Sequence, residues 1–105
     1  MKQYKVVVTV PESDGDALRK AVGDVGGGKV GNYSHCSFTV KGAGRFIPQD
    51  GARPTIGTVG EPEEVTEERI EVNCDETSLG PVLKTIRENH PYEEPAVDVY
   101  PLLEL

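Results

Sequence analysis

The sequence predicts an α+β sandwich: a four-stranded antiparallel sheet with two helices on one face. Three observations point there. Four segments alternate apolar and polar residues, two others carry apolar residues at helical spacing, and their order is strand–helix–strand–strand–helix–strand. At 105 residues the chain suffices for one domain with one core, so residues 1–105 are expected to form a single unit. Hydrophobic residues make up 36%, with no Trp and only two Phe, so the core must be assembled from Val, Leu and Ile in two layers at most.

Lys2–Val10 places Tyr4, Val6, Val8 and Val10 on one strand face and Lys5, Val7 and Thr9 on the other. Val7 on the second face marks a central strand. Pro11 ends it, and Glu12, Ser13 and Asp14 offer capping oxygens and negative charge to a helix N-terminus. Leu18, Ala21, Val22 and Val25 form that helix's apolar stripe. Gly26, Gly27 and Gly28 stop it, because glycine takes the left-handed cap conformation without strain. A phosphate-binding loop would set its glycines before a helix, whereas these follow one.

Tyr33–Lys41 alternates again, with Cys36, Phe38 and Val40 expected in the core and Tyr33, His35, Ser37 and Thr39 on the exposed face. From Gly42 to Pro62 there is no long periodic segment. So long a connection is expected to be functional or to form an arm that packs on a neighbour. Glu63–Cys74 resumes the strand pattern, with Ile70, Val72 and Cys74 inward and Arg69, Glu71 and Asn73 outward. Thr77 or Ser78 is expected to cap the second helix, with Pro81 in its first turn and Leu79, Val82, Leu83 and Ile86 as its stripe. Lys84 and Arg87 fall toward its C-terminal half, where positive charge is favoured. His90-Pro91 ends it, and Ala96–Leu102 gives the last strand with Val97 and Val99 inward.

Two right-handed crossovers in this order give a ferredoxin-like βαββαβ sandwich with strand order 4-1-3-2 and both helices on one face. The opposite, open face of the sheet is polar but not highly charged, which suits water or another subunit.

The formal net charge of −7 excludes a broad basic surface for nucleic acid or anionic lipid. Nothing approaches the roughly 20 apolar residues of a membrane span, and the N-terminal apolar run is too short for a signal peptide. Cys36 and Cys74 are the only cysteines, too few for a disulfide framework, so a cytoplasmic location is expected.

The stretch GNYSHCSFTVKGAGRFIPQDGARPTIG, the strand ERIEV and the closing NHPYEEPAVDVYPL resemble the inserted domain of the YqfO-like, or NGG-interacting-factor-like, proteins, which carry the label type 2 GTP cyclohydrolase homologue. The resemblance runs from Tyr4 to Leu103, and HPYE is also similar to the matching segment of CutA. It implies a CutA/PII-like domain with a long arm between strands 2 and 3, here as the insert alone. Full-length members hold a dinuclear metal site in the segments flanking the insert. His35 and His90 are the only imidazoles here, so that site transfers to no position of this chain.

The candidate ligand-binding residues are Tyr33, His35, Arg45, His90, Tyr92 and Glu93; the candidate metal ligands are His35, His90, Glu93 and Glu94. His35 and Cys36, adjacent on a strand, point to opposite faces and cannot chelate one ion together. Strands 2 and 4 are opposite sheet edges, so His35 and His90 are expected to meet only across a subunit boundary. The plainer roles are a sheet-face hydrogen bond for His35 and a helix cap for His90. Arg45, in the GAGRFIP stretch after Gly42 and Gly44, reads as an anion anchor or as the partner of a nearby acid. Cys36 and Cys74 read as buried apolar groups, and no catalytic residue is assigned.

The function expected is a non-catalytic binding or regulatory module. It would be a homo-oligomer, dimer or trimer, that binds a small ligand, a metal ion or a partner protein at a subunit boundary; the candidate cofactor is a divalent metal ion. The alternatives are a metal-assisted hydrolase of nucleotide type and an accessory subunit docking on a partner that carries the family's metal site.

Overall fold

The computed structural model describes residues 1–104. Its elements are β1 (Gln3–Pro11), a 3-10 turn (Glu12–Asp14), α1 (Gly15–Asp24), β2 (Phe38–Phe46), β3 (Glu63–Asp75), α2 (Glu76–Asn89) and β4 (Val97–Leu102). The sheet runs β2-β3-β1-β4 with every neighbouring pair antiparallel, the order expected from the two crossovers. Structure and pattern therefore agree on the ferredoxin-like α+β sandwich. Among the described residues, no helix is long and apolar enough to cross a membrane.

Every second residue of β1 and β3 faces the helices. Val6, Val8 and Val10 pack with Ile70, Val72 and Cys74 against Leu18 and Val22 of α1 and Val82 and Ile86 of α2. Each such side chain, once fully buried, contributes about 1.5–3 kcal/mol. Val7 is also buried, though it lies on the open face between Glu71 and Asp98 in register, as a central strand requires. Burial raises the pKa of the Cys74 thiol, in keeping with an inert apolar role.

The second strand departs from its expected placement. It starts at Phe38 rather than Tyr33, runs to Phe46 rather than Lys41, and is inverted in phase. Phe38 and Val40 pair with Glu71 and Arg69 on the open face and are 65% and 48% exposed, instead of joining the core. The reason is the reach of the helix layer. On the helix side β2 meets Arg19 of α1, whose guanidinium donates to Thr39 Oγ1 (3.2 Å) and Glu68 Oε1 (2.7 Å) and also pairs with Asp16. A polar bridge thus occupies the place where apolar side chains were expected.

Tyr33, His35 and Cys36 consequently lie in the loop between α1 and β2. Its backbone is tied down by Gly28 N–H to Asn73 O (2.7 Å) and Cys36 N–H to Gly28 O (2.9 Å). Cys36 is half-buried outside the core. Gly28 has φ +80, and a Cβ there would stand 2.2 Å from the Cys36 carbonyl oxygen, so this staple requires glycine.

The helix ends also differ in detail. Asp14 occupies the first cap position, but its side chain makes no capping bond. The glycine stop forms as expected, with Gly27 N–H on Val22 O (3.0 Å) and Gly26 at φ +103. For α2 the cap is Asp75, not Thr77 or Ser78: its carboxylate accepts from Thr77 N–H (3.0 Å), Ser78 N–H (2.9 Å) and the Thr77 hydroxyl (2.6 Å). With the helix starting at Glu76, Pro81 lies past the first turn. The carbonyl deprived of its helical donor belongs to Thr77, which is exposed to water.

These same donors hold the Asp75 carboxyl below its ordinary range, the Thr77 hydroxyl first among them. A depressed folded value means the cap stabilises fully above the unfolded carboxylate value, about 4, and is lost as pH falls through the folded one. Asp75→Ala is therefore expected to lower the melting temperature at neutral pH, and the gap to the unmodified chain should narrow near pH ~3. Thermal unfolding followed by circular dichroism at the two pH values checks this.

Candidate ligand-binding cleft

β2 absorbs Gly42–Phe46, and residues 47–62 then fold back over the open face of the sheet. Three contacts tie this arm and the end of β2 to the segment before β4. Arg53 N–H donates to Glu93 Oε2 (3.0 Å), the Thr55 hydroxyl donates to the Pro91 carbonyl (2.6 Å), and the Phe46 ring meets Tyr92 edge-on with centroids 5.9 Å apart. Proline and glycine shape the turn-back: Gly51, Gly57 and Gly60 all have positive φ, and Pro48 is buried with its carbonyl accepting from Gly60 N–H (2.7 Å).

Between arm and sheet lies a cavity of about 730 Å³. Its floor is Val40, Gly42 and Gly44 of β2 with Glu67 and Arg69 of β3; its roof includes Ile47, Pro48, Pro54 and Ile56; Tyr92, Glu93 and Glu94 close one side. The long connection, expected to be functional or to pack on a neighbour, is latched to its own chain and roofs this cavity.

Glu67 is the most buried charged group of the cleft, 8% exposed. Its neighbours in register are Pro11 and Gly42, neither of which reaches over it. The Tyr92 hydroxyl donates to Glu67 Oε2 (2.8 Å), while Oε1 leans over Gly44, where a Cβ would stand 1.9 Å away. Burial, and then the adjoining Glu67 carboxylate, push the Tyr92 phenol pKa up.

His90 stands behind this pair. It is buried, its Nε2 bonds the Thr9 carbonyl (2.7 Å), and Tyr92 N–H donates to its Nδ1 (3.1 Å). Those partners assign the neutral ring with the proton on Nε2. By backbone position His90 does end α2, but its side chain pins the following segment to β1 instead of capping the helix.

Of the residues singled out from the sequence, Arg45, Tyr92, Glu93 and Glu94 border the cleft. The Arg45 guanidinium turns to Glu64 (2.7 Å), so it is an acid partner in this structure. Tyr33 is 75% exposed in the loop before β2. His35 sits there too, at φ +59 and off the sheet. Its Nε2 bonds Asp24 Oδ1 (2.9 Å) and its Nδ1 bonds Ser34 Oγ (2.9 Å). His35 thus belongs to the end of α1, whereas His90 supports the cleft. Among the described residues, no group of three His, Cys, Asp or Glu is arranged to hold a metal ion. Glu67, Gly44 and Phe46 escaped the sequence reading, because alternation assigns Glu67 to a solvated face and no local pattern shows the arm folding back over it.

No family model matches the chain. A protein of Mycobacterium bovis described as a GTP cyclohydrolase 1 type 2 homolog is 46% identical over 99 residues, covering 94% of this chain and 26% of that protein. The chain thus spans about a quarter of the length of the curated relatives it matches. The crystal structure of a Bacillus cereus protein related to NIF3 superposes with a TM-score of 0.83 at 46% identity, over 96% of this chain and 26% of that one. The periplasmic divalent cation tolerance protein CutA of Archaeoglobus fulgidus gives a TM-score of 0.69 at 14% identity, over 97% and 85% of the two chains, a likeness of fold alone. The resemblance carried by the two long motifs therefore extends along the chain, and the CutA-like fold accompanies it.

The cleft's polar floor makes a measurable prediction. A phenol whose folded pKa exceeds its unfolded value stabilises fully below the unfolded value, about 10, and that stability is lost as pH rises through the folded one. Phenolate absorbance of the native chain is expected to show one tyrosine that resists ionisation until unfolding, and Tyr92→Phe should abolish that step. Loss of the hydroxyl is expected to cost ~1 kcal/mol at neutral pH, read from urea denaturation.

Proposed function

We propose that this chain acts as a non-catalytic binding or regulatory module: one domain that self-associates in the cytoplasm and takes a small ligand or partner group in the cleft beneath its arm, beside a subunit boundary. The cleft carries this reading. A volume of about 730 Å³, apolar walls and a few convergent polar groups are what small-molecule sites have in common. Self-association is supported by large side chains that stay exposed on the open face, Phe38 on β2 and Tyr100 on β4, 65% and 44% exposed. A divalent ion remains a candidate ligand in this reading. The printed name of the CutA neighbour concerns divalent cations, and Glu93 and Glu94 could combine with His35 of another copy.

The relatives' printed name, a GTP cyclohydrolase homolog, together with the family resemblance, supports a second reading: a nucleotide-type hydrolase assisted by metal, or an accessory to a partner bearing the metal site. It requires ligands from outside the described residues of a single copy.

Native mass spectrometry at micromolar concentration tests the first reading: a dimer or trimer is expected, and a strict monomer would overturn it. Elemental analysis of untagged protein, together with a GTP hydrolysis assay, separates the second, which needs bound metal that His35→Ala would release.

A further inference from the structure

We infer that the cleft is selective for an organic cation. The ligand would be a small molecule whose ammonium group rests on the Glu67 carboxylate and whose apolar body lies against Ile47, Pro48 and Ile56. The inference deepens the reading of the cleft as a ligand site and rests on it.

Charge is the first ground. Glu67 is more than nine-tenths buried, yet among the described residues it is in no ion pair, and its one hydrogen-bond donor there is the neutral Tyr92 hydroxyl at Oε2. A buried carboxylate without a cation is costly, and a ligand that supplies the missing charge gains what the folded chain leaves unused. The cations that line the cleft are each paired with an acid outside its lining. Lys41 pairs with Glu12 (3.3 Å), Arg45 with Glu64 (2.7 Å) and Arg69 with Glu71 (3.3 Å). Lys41 and Arg45 share register with Glu68 and Glu64, so they alternate with the open-face residues and project to the other side of the sheet. Arg69 does lie on the open face, but its Nε is turned along β3 to Glu71 rather than to Glu67. Glu93 spends one oxygen on a backbone N–H, and Glu94 is in no ion pair. Among the described residues, the lining charges left without an ionic partner are therefore the carboxylates Glu67, Glu93 and Glu94.

Shape and surroundings are the second ground. Gly44 keeps the space over Glu67 Oε1 clear, and the rings of Phe46 and Tyr92 stand together at the cleft's side. A carboxylate beside aromatic rings in an apolar enclosure is favourable chemistry for an ammonium, which gains from the ring faces as well as from the charge. A divalent metal ion would want three or more ligands, and Glu67 has no second carboxylate or imidazole grouped with it in that way.

The test uses the full chain labelled with nitrogen-15 and three probes of one shape: benzylammonium, benzyl alcohol and benzoate. Amide shifts of Phe46, Glu67 and Tyr92 are followed through each titration. Benzylammonium is expected to bind at least about tenfold more tightly than the other two, and Glu67→Gln, which keeps the shape and an acceptor for Tyr92, should bring it level with the alcohol. The comparison among probes needs no variant and stands even if the substitution perturbs folding. Equal binding of the alcohol or tighter binding of benzoate would overturn the cation preference while leaving the cleft a ligand site. No shift with any probe would overturn both readings. Shifts at these residues that follow protein concentration and ignore the probes would place a second copy in the cleft, and the inference would fall.

Discussion

Glu67 and Glu68 are adjacent on β3 and both more than nine-tenths buried, which forces the rest of the structure to answer them from two sides. Successive strand residues point to opposite faces, so no single group can satisfy both carboxylates. On the helix side Arg19 reaches from α1 to Glu68 and gathers Thr39 and Asp16 on the way. On the open side Tyr92 reaches from the segment before β4 to Glu67. A glycine makes room in each case: a Cβ on Gly15 would stand 1.8 Å from Glu68 Oε1, and one on Gly44 would stand 1.9 Å from Glu67 Oε1. The two sides are not equivalent. Glu68 has a cation, and a charge-assisted bond of that kind contributes about 1.5–3 kcal/mol, whereas Glu67 has a neutral hydroxyl. One side of the sheet is thereby closed as structure, and the other is left chemically incomplete.

The fold was legible because β1, β3 and the two helices obey simple periodicity. Val6, Val8 and Val10 face Ile70, Val72 and Cys74 as alternation demands, and Leu18, Val22, Val82 and Ile86 fall on the stripes that helical spacing picks out. The pattern misled at β2 for a definite reason. It equates apolar with buried, and an edge strand reaching past the helix layer breaks that equation. Phe38 and Val40 look like core residues and are surface residues; Thr39 looks like a surface residue and is bonded to Arg19 on the inner side. Asp75 is both the last residue of β3 and the cap of α2, and the Thr77 and Ser78 that look like caps in the sequence are the residues that donate to it.

The site was legible only where a motif marked it. Tyr92, Glu93 and Glu94 were singled out from the HPYE stretch and do border the cleft. Arg45 was found for its glycines, yet its charge is used on Glu64. His35 was assigned to a sheet face but adopts a left-handed backbone that local pattern does not reveal in a histidine. Glu67, Gly44 and Phe46 depend on the return of residues 47–62 across the sheet. No periodicity encodes that return, because it is made by proline and glycine turns and by a few contacts distant in sequence.

The latch that secures this arm joins residues 40 and 36 positions apart through two hydrogen bonds, both near solvent. Closing so long a loop has an entropic cost that contacts of this kind recover only after the sheet is in place. Exposed backbone bonds backed by little burial also belong to the least protected part of a native structure. The cleft is therefore a late product of folding and an early loss on warming. Amide hydrogens of the arm should exchange by local opening, well before those of β1 and β3, so the roof of the cleft can lift while the sandwich beneath it stays intact.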